Sequence, residues 1–140
     1  MNVYLDASVL VALFSNDPFT QRADDFLRRE QPATTVSDFA KAEFASAIAR
    51  RVRTGELTAE DARDAFAALD VWTARAVRSI TASSADIAAA STYLRRLDLA
   101  LRTPDAINIA IAERARCTLL TFDRKMADNA VTLGVPVAAA

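Results

Sequence analysis

The sequence contains no histidine, and it has a single cysteine, Cys117, among its 140 residues. The lack of histidine excludes a Ser-His-Asp or Cys-His catalytic machine, because no imidazole is available as the general base. One cysteine and no histidine also argue against a zinc site of the Cys/His type. Any chemistry in this chain must therefore use carboxylates, hydroxyls, arginine, lysine or a bound metal ion.

Glycine and proline are also scarce, at 2 and 4 residues, whereas hydrophobic residues make up 52% of the chain. This composition excludes collagen-like and disordered chains, and the length fits a single domain over residues 1–140. No apolar run approaches the ~18–20 residues that span a bilayer, and the first residues lack a basic targeting segment. We therefore expect a cytoplasmic protein without membrane contact. The net charge of -1 provides no general attraction for nucleic acid, so such a partner would need local basic patches.

Short apolar runs alternate with segments of helical periodicity along the chain. The predicted strands share this apolar character, and they cover residues 3–5, 33–36, 77–81, 117–121 and 135–137. The segments between them favour helices, including one from Ser83 or Ser84 to about Leu97. Strands separated by helices pair in parallel and are covered on both faces. The sequence therefore predicts an α/β fold, a three-layer α/β/α sandwich around a mostly parallel sheet.

Two acidic residues follow predicted strands. Asp6 comes directly after the first strand, and Asp123 lies two residues after Thr121, which ends the fourth. In open α/β sheets ligands bind beyond the carboxyl ends of the strands, so both carboxylates are expected to face one crevice. Each acid is also a good helix N-cap, and capping alone is an alternative explanation for either.

Two further acids lie in predicted helices. Asp105 is in the first turn of a helix, where a negative charge stabilises the helix dipole. Glu43 lies at the edge of an apolar stripe, where a half-buried carboxylate requires a partner. That partner is either an arginine, such as Arg50 or Arg51, or a metal ion shared with the other acids. Four carboxylates without histidine suit Mg²⁺ or Mn²⁺, and a centre of this kind hydrolyses phosphodiester bonds.

The order of these acids resembles that of the PIN-domain family, and most closely that of its VapC-type toxins. The segments that carry the resemblance are residues 4–10, 42–44, 101–106 and 120–123. The resemblance implies a metal-dependent ribonuclease whose Mg²⁺ or Mn²⁺ is held by four carboxylates, those of Asp6, Glu43, Asp105 and Asp123. It further implies supporting polar roles for Ser8 and Thr121.

The resemblance also implies partners. We expect an RNA substrate, a homodimer, a cognate VapB-like antitoxin, and contact with operator DNA only through the antitoxin. Many relatives carry histidine at the position of Asn108, so the role of this side chain is open. The sequence does not indicate which RNA is cut.

Two other α/β folds with an acid after the first strand agree less well with this sequence. A phosphoacceptor receiver domain requires paired acids and a late lysine beside the site, whereas Asp6 stands alone. A dehalogenase-like phosphatase requires aspartate at the position of Ser8. The remaining alternative is a catalytically inactive PIN-like module that pairs with an antitoxin and assists operator DNA binding. Metal-dependent cleavage would separate this module from the nuclease.

Basic residues flank the acids in the sequence. Arg51, Arg102 and Arg124 are therefore candidate contacts for RNA phosphates around the metal. The alternative for each of them is an ordinary solvated position on the protein surface.

Overall fold

The computed structural model describes all residues from 1 to 140 and contains four strands and seven helices. They follow the chain in the order β1 (Asn2–Leu5), α1 (Ala7–Phe14), α2 (Thr20–Glu30), β2 (Ala33–Ser37), α3 (Asp38–Arg53), α4 (Ala59–Ala76), β3 (Arg78–Ile80), α5 (Ser84–Leu94), α6 (Thr103–Arg114), β4 (Thr118–Leu120) and α7 (Arg124–Thr132). The predicted alternation of strands and helices is confirmed.

The four strands form one sheet in the order β3-β2-β1-β4, and every neighbouring pair is parallel. The N-terminal strand β1 therefore lies inside the sheet. It pairs with β4 in a register that places Leu5 beside Leu120. Because parallel neighbours end at the same edge, the residues that follow β1 and β4 emerge side by side.

Helices cover both faces of this sheet. Val3 and Leu5 contribute to one core together with α1, α2, α3 and α4, whereas Tyr4 contributes to a second core with α5, α6 and α7. The alternation follows from the two-residue period of a strand, and burial on both faces is typical of parallel sheets. The predicted three-layer sandwich is confirmed. None of the helices combines the length and the apolar character needed to cross a membrane.

The predicted fifth strand is wrong. Residues 135–137 form only an isolated parallel bridge, between Val137 and Leu119. Two hydrogen bonds flank the bridge, from Leu119 N to Pro136 O at 2.8 Å and from Ala138 N to Leu119 O at 2.9 Å. Because Pro136 has no N–H group, it cannot donate the hydrogen bond that would extend the pairing to the residues before it.

The helix predicted to reach about Leu97 is shorter than expected. It ends at Leu94, and the N–H of Arg95 closes the last turn on Ser91 O at 3.0 Å. Leu97 has a φ of 68°, in the left-handed region that a right-handed helix does not use. The apolar residues after Leu94 therefore belong to the connection that leads into α6.

Candidate active site

Asp6 and Asp123 both lie at the carboxyl edge of the sheet, where each begins a helix. Oδ1 of Asp6 accepts a hydrogen bond from Val9 N at 3.3 Å, and Oδ1 of Asp123 accepts one from Met126 N at 3.0 Å. Both acids are therefore N-caps, of α1 and α7. Capping does not explain the depth of Asp6, which is only 3% exposed, because most N-caps lie at the surface.

Two hydroxyl groups hold the Asp6 carboxylate. Ser8 Oγ donates to Oδ1 at 2.6 Å, and Thr121 Oγ1 donates to Oδ2 at 2.7 Å. The same hydroxyl oxygens accept the backbone N–H groups of Phe122, at 2.9 Å, and of Asp123, at 3.0 Å. This network joins the ends of β1 and β4, and it fixes the position of Asp6 relative to Asp123.

Glu43, on α3, contacts α6 through an amide. Asn108 Nδ2 donates to Glu43 Oε1 at 2.6 Å and to Pro104 O at 3.0 Å. The Asn108 Oδ1 atom accepts from the buried hydroxyl of Tyr4 at 2.6 Å, and this hydroxyl also lies 2.7 Å from Ser37 Oγ. The chain of hydrogen bonds runs from the sheet through Asn108 to the carboxylate.

Neither arginine considered as a partner of Glu43 contacts it. Arg51 donates instead to Asp17 Oδ1 at 2.8 Å, and Arg50 is exposed without an ion pair. The arginine alternative is therefore wrong, because Glu43 is bound by an uncharged amide. An amide does not neutralise the carboxylate, so the need for a nearby cation remains.

Asp105 lies in the first turn of α6 and is 6% exposed. The nearest cation is Arg102, whose Nε atom is 3.5 Å from Asp105 Oδ2 and whose side chain is 79% exposed. An ion pair at this distance with a solvated arginine is weak. Asp105 is thus another buried carboxylate with little compensation for its charge.

The charges of neighbouring acids raise the pKa values of Asp6, Glu43 and Asp105. Burial raises the pKa of Asp6 to about 6, against the lowering effect of its hydroxyl and backbone hydrogen bonds, and the charge of Asp123 raises it further. Burial also raises the pKa of Glu43, where the Asn108 hydrogen bond opposes the shift and the charges of Asp6 and Asp105 add to it. The pKa of Asp105 is raised by burial and by Asp123, with Arg102 opposing. The pKa of each of these three acids is therefore raised by the charge of at least one other acid of the cluster.

This arrangement fits a hard divalent cation. All the candidate ligands are oxygen atoms, and three of the carboxylates are difficult to ionise in the absence of a positive charge. No three acidic side chains are close enough to form a complete metal-ligand set. Mg²⁺ binds through only one or two carboxylates and keeps several waters, so an open cluster of this kind is compatible with it.

The three candidate phosphate contacts differ in their surroundings. Arg102 is exposed beside Asp105, and Arg124 is exposed as the first residue of α7, directly after Asp123. Arg51 is mostly buried and paired with Asp17. Arg102 and Arg124 are therefore free to meet a phosphate, whereas Arg51 is already engaged in an ion pair.

Comparison with known proteins identifies the family. A PIN domain family model matches residues 3–131, a span that includes all four acids. The chain belongs to the PIN-domain family. This PIN domain is 32% identical over 140 residues to Ribonuclease VapC46 of Mycobacterium tuberculosis, covering 98% of this chain and 96% of that protein.

Solved structures show the same fold. The crystal structure of Mycobacterium tuberculosis VapC20, described as a sarcin-ricin loop cleaving toxin, matches with a TM-score of 0.76 at 19% identity over 99% of both chains. VapBC2 from Rickettsia felis, bound to a DNA fragment from its promoter, matches with a TM-score of 0.70 at 15% identity, over 99% of this chain and 98% of that one. The PIN-like fold predicted from the sequence is confirmed.

Two polar contacts of the PIN domain were not predicted from the sequence. One is the link from Tyr4 through Asn108 to Glu43, although a buried amide among the isoleucines of α6 is a signal that could have indicated it. The other is the pair of Arg114 with Asp86, which is 1% exposed: Nε and the second terminal nitrogen of Arg114 lie 2.8 Å from the two carboxylate oxygens.

Proposed function

We propose that this PIN domain is a divalent-metal-dependent ribonuclease that acts as the toxin of a toxin–antitoxin pair. The observation that supports this most directly is the cluster of Asp6, Glu43, Asp105 and Asp123, in which burial and the charges of neighbouring carboxylates raise the pKa values of the first three. A metal-free cluster of this kind opposes its own ionisation, so it is suited to a bound cation. The relative at 32% identity is a ribonuclease, in agreement with this chemistry.

The residues of the chain have distinct roles in the proposed reaction. The four acids would surround Mg²⁺ or Mn²⁺, with one or two of the carboxylates bound to the ion directly and several waters kept; the bound ion would activate water and stabilise the leaving oxygen of the phosphodiester. Ser8 and Thr121 keep Asp6 in place through their hydroxyl groups.

The surrounding residues position the acids and the substrate. Asn108 orients Glu43 through its side-chain amide. Arg102 and Arg124 contact the phosphates on either side of the bond that is cut, because their exposed guanidinium groups lie next to site acids in the chain.

The partners follow from the structures of relatives. VapBC2 from Rickettsia felis and FitAB were both solved on DNA, with the DNA of the former described as a fragment of the promoter. We propose that the present chain likewise acts in the cytoplasm, forms a homodimer and binds a VapB-like antitoxin. Its contact with operator DNA is then made through the antitoxin.

The test is cleavage of RNA by the purified protein. Total RNA is incubated with Mg²⁺, with Mn²⁺ or with EDTA, and the products are separated by electrophoresis and sequenced. We expect discrete cleavage by the wild type with metal, none in EDTA and none with Asp105→Asn. The matched control is Asp128→Asn, which removes an exposed carboxylate of α7 outside the cluster and should cleave like the wild type.

Other outcomes separate the alternatives. Equal cleavage by the wild type and Asp105→Asn would reveal a contaminating nuclease. If the wild type cuts no RNA and metal titration by calorimetry detects no binding, the domain is an inactive module that only pairs with its antitoxin. Binding of metal that is lost in Asp105→Asn would support the proposed site independently of the substrate.

A further inference from the structure

A cavity of about 400 Å³ opens beside the acids. Ser8 and Asp123 are part of its lining, so it is continuous with the proposed cleavage site. We call it the side pocket, and its other walls include two aromatic and two charged side chains, those of Phe19, Phe122, Asp17 and Arg51. None of these four side chains has a role in the proposed cleavage itself.

The aromatic wall of the side pocket is formed by a stacked pair. The rings of Phe19 and Phe122 are 4.7 Å apart between centroids and nearly parallel, at 9°. The guanidinium carbon of Arg22 lies 5.3 Å from the centroid of Phe19 and 5.4 Å from that of Phe122. Aromatic rings next to a site that cuts RNA are surfaces on which an unpaired base can stack.

The polar wall of the side pocket supports the aromatic one. Asp17 Oδ2 accepts the backbone N–H of Phe19 at 3.0 Å, while Asp17 Oδ1 accepts from Arg51 at 2.8 Å. Arg51 uses one N–H on Ser15 and one on Asp17, and its Nε atom lies 3.9 Å from Glu56 Oε2, so two of the five donors of an arginine are left. The pair therefore holds Phe19 in position, and both of its charged side chains line the side pocket.

We infer that the side pocket binds one unpaired nucleobase of the RNA, next to the phosphate that is cut. The inference rests on the proposed ribonuclease function and adds to it the feature by which the substrate is selected. The cavity is within the ~300–1,000 Å³ that binding pockets occupy, and its continuity with Ser8 and Asp123 places the base beside the reacting phosphate. Arg51 is thereby assigned to the base rather than to a phosphate.

Abasic substitution in a short RNA tests the inference. A single-stranded RNA that the wild type cleaves with Mg²⁺ or Mn²⁺ is resynthesised as a series, with one abasic nucleotide at each position around the cut. We expect kcat/KM of the wild type to fall by about 5- to 150-fold at one position, the range measured for the loss of one base–aromatic stack. The Phe19→Leu variant should cleave the intact RNA as slowly as the RNA that is abasic at the sensitive position. The Phe19→Tyr variant keeps an aromatic ring, so it should again cleave the intact RNA faster than the abasic one.

A matched variant separates base binding from general damage. Phe66 is another partly buried phenylalanine of the same core but lies outside the side pocket, so Phe66→Leu should keep the full difference between intact and abasic RNA. If Phe19→Leu slows both RNAs equally, Phe19 has only a structural role and the inference is overturned. Equal wild-type cleavage of every abasic RNA would also overturn it while leaving the ribonuclease function intact. No wild-type cleavage of any RNA would instead contradict the ribonuclease function.

Discussion

Replacement of Asp6 by asparagine should stabilise the metal-free protein while abolishing its cleavage of RNA. Asp6 is 3% exposed and its carboxylate has no cationic partner, so its negative charge is unfavourable in the fold without metal. Asparagine is nearly isosteric and uncharged, and it can still accept the hydrogen bond from Val9 that begins α1. The variant therefore removes the charge while keeping most of the helix cap.

The magnitude follows from the pKa of Asp6. Its pKa is raised from 3.8 to about 6, and a shift of roughly two units corresponds to about 3 kcal/mol. Because the folded pKa lies above the unfolded one, the neutral acid is the form that the fold favours. The stability that the fold has with Asp6 neutral is fully present below about pH 4 and is lost as the pH rises through about 6.

The assay is urea unfolding of the wild type and Asp6→Asn in EDTA, from about pH 3.5 to pH 8. We expect the free energy of unfolding of the variant to exceed that of the wild type by about 3 kcal/mol near pH 7.5, with the difference disappearing toward pH 4. Saturating Mn²⁺ should reverse the order, since only the wild type gains from binding the metal.

The control is Asp61→Asn, which alters an exposed acid of the Thr58 capping box at the start of α4. The free energy of unfolding of Asp61→Asn, compared with that of the wild type, should show no similar increase as the pH rises. If Asp6→Asn is less stable than the wild type by the same amount at every pH, Asp6 acts mainly as an N-cap, worth ~0.5–2 kcal/mol. That result would refute the argument from buried charge.

Two further predictions concern the polar contacts in the second core. Tyr4→Phe should lower the free energy of unfolding by about 1–3 kcal/mol, because the buried Oδ1 of Asn108 loses its donor, and RNA cleavage should fall as Glu43 is held less firmly. Arg114→Met should cost about 2 kcal/mol near pH 7, less than a fully buried pair because the Arg114 side chain is 37% exposed. Burial opposes the shift, but the hydrogen bonds from Arg114 and Ser83 and the charge of Arg114 hold the pKa of Asp86 below its usual value. The stabilisation by this pair is therefore present above about pH 4 and is lost as the pH falls through the lowered pKa of Asp86. The loss of stability caused by Arg114→Met should therefore be smaller in acid than near pH 7. Thermal melts of both proteins near pH 7 and in acid measure this difference.

A half-buried tyrosine and an exposed arginine provide the controls for these two variants. Tyr93→Phe removes a hydroxyl that donates to the exposed Glu113, and Arg116→Met removes an arginine without an ion pair. Both should change stability by less than about 0.5 kcal/mol. A Tyr4→Phe protein as stable as Tyr93→Phe, or a cost of Arg114→Met that does not change in acid, would contradict the reasoning.

The fold could be predicted largely because its signals are local. The Thr58 capping box, Pro104 in the first turn of α6 and Asp123 before α7 each mark the start of a helix through a few neighbouring residues. The false strand at residues 135–137 has the right apolar residues, but pairing depends on backbone donors that Pro136 lacks. No local pattern in the sequence predicts that β1 lies inside the sheet, because its position depends on pairing with the distant strands β2 and β4.

The sequence predicts those residues of the site that lie at the ends of strands or at the starts of helices, but it does not predict the contacts between distant segments. Asp6 and Asp123 follow strands, and parallel pairing brings such residues together. The link between Tyr4 and Asn108 joins residues 104 positions apart, so no local pattern predicts it. The basic residues near Glu43 in the sequence predict a phosphate contact for Arg51. The position of its side chain, however, is determined by the ion pair with Asp17 on a different segment.

The placement of β1 beside β4 has a consequence for the timing of activity during synthesis. Asp6 precedes Asp123 by most of the domain, and the two hydroxyls that hold the Asp6 carboxylate come from Ser8, beside Asp6, and from Thr121, beside Asp123. A chain that has not yet been extended beyond β4 lacks Thr121 and Asp123, so its Asp6 has neither its second hydrogen bond nor its neighbouring charge. The proposed nuclease site therefore assembles only after Thr121 and Asp123 have been made, and until then the ribosome holds an inactive polypeptide.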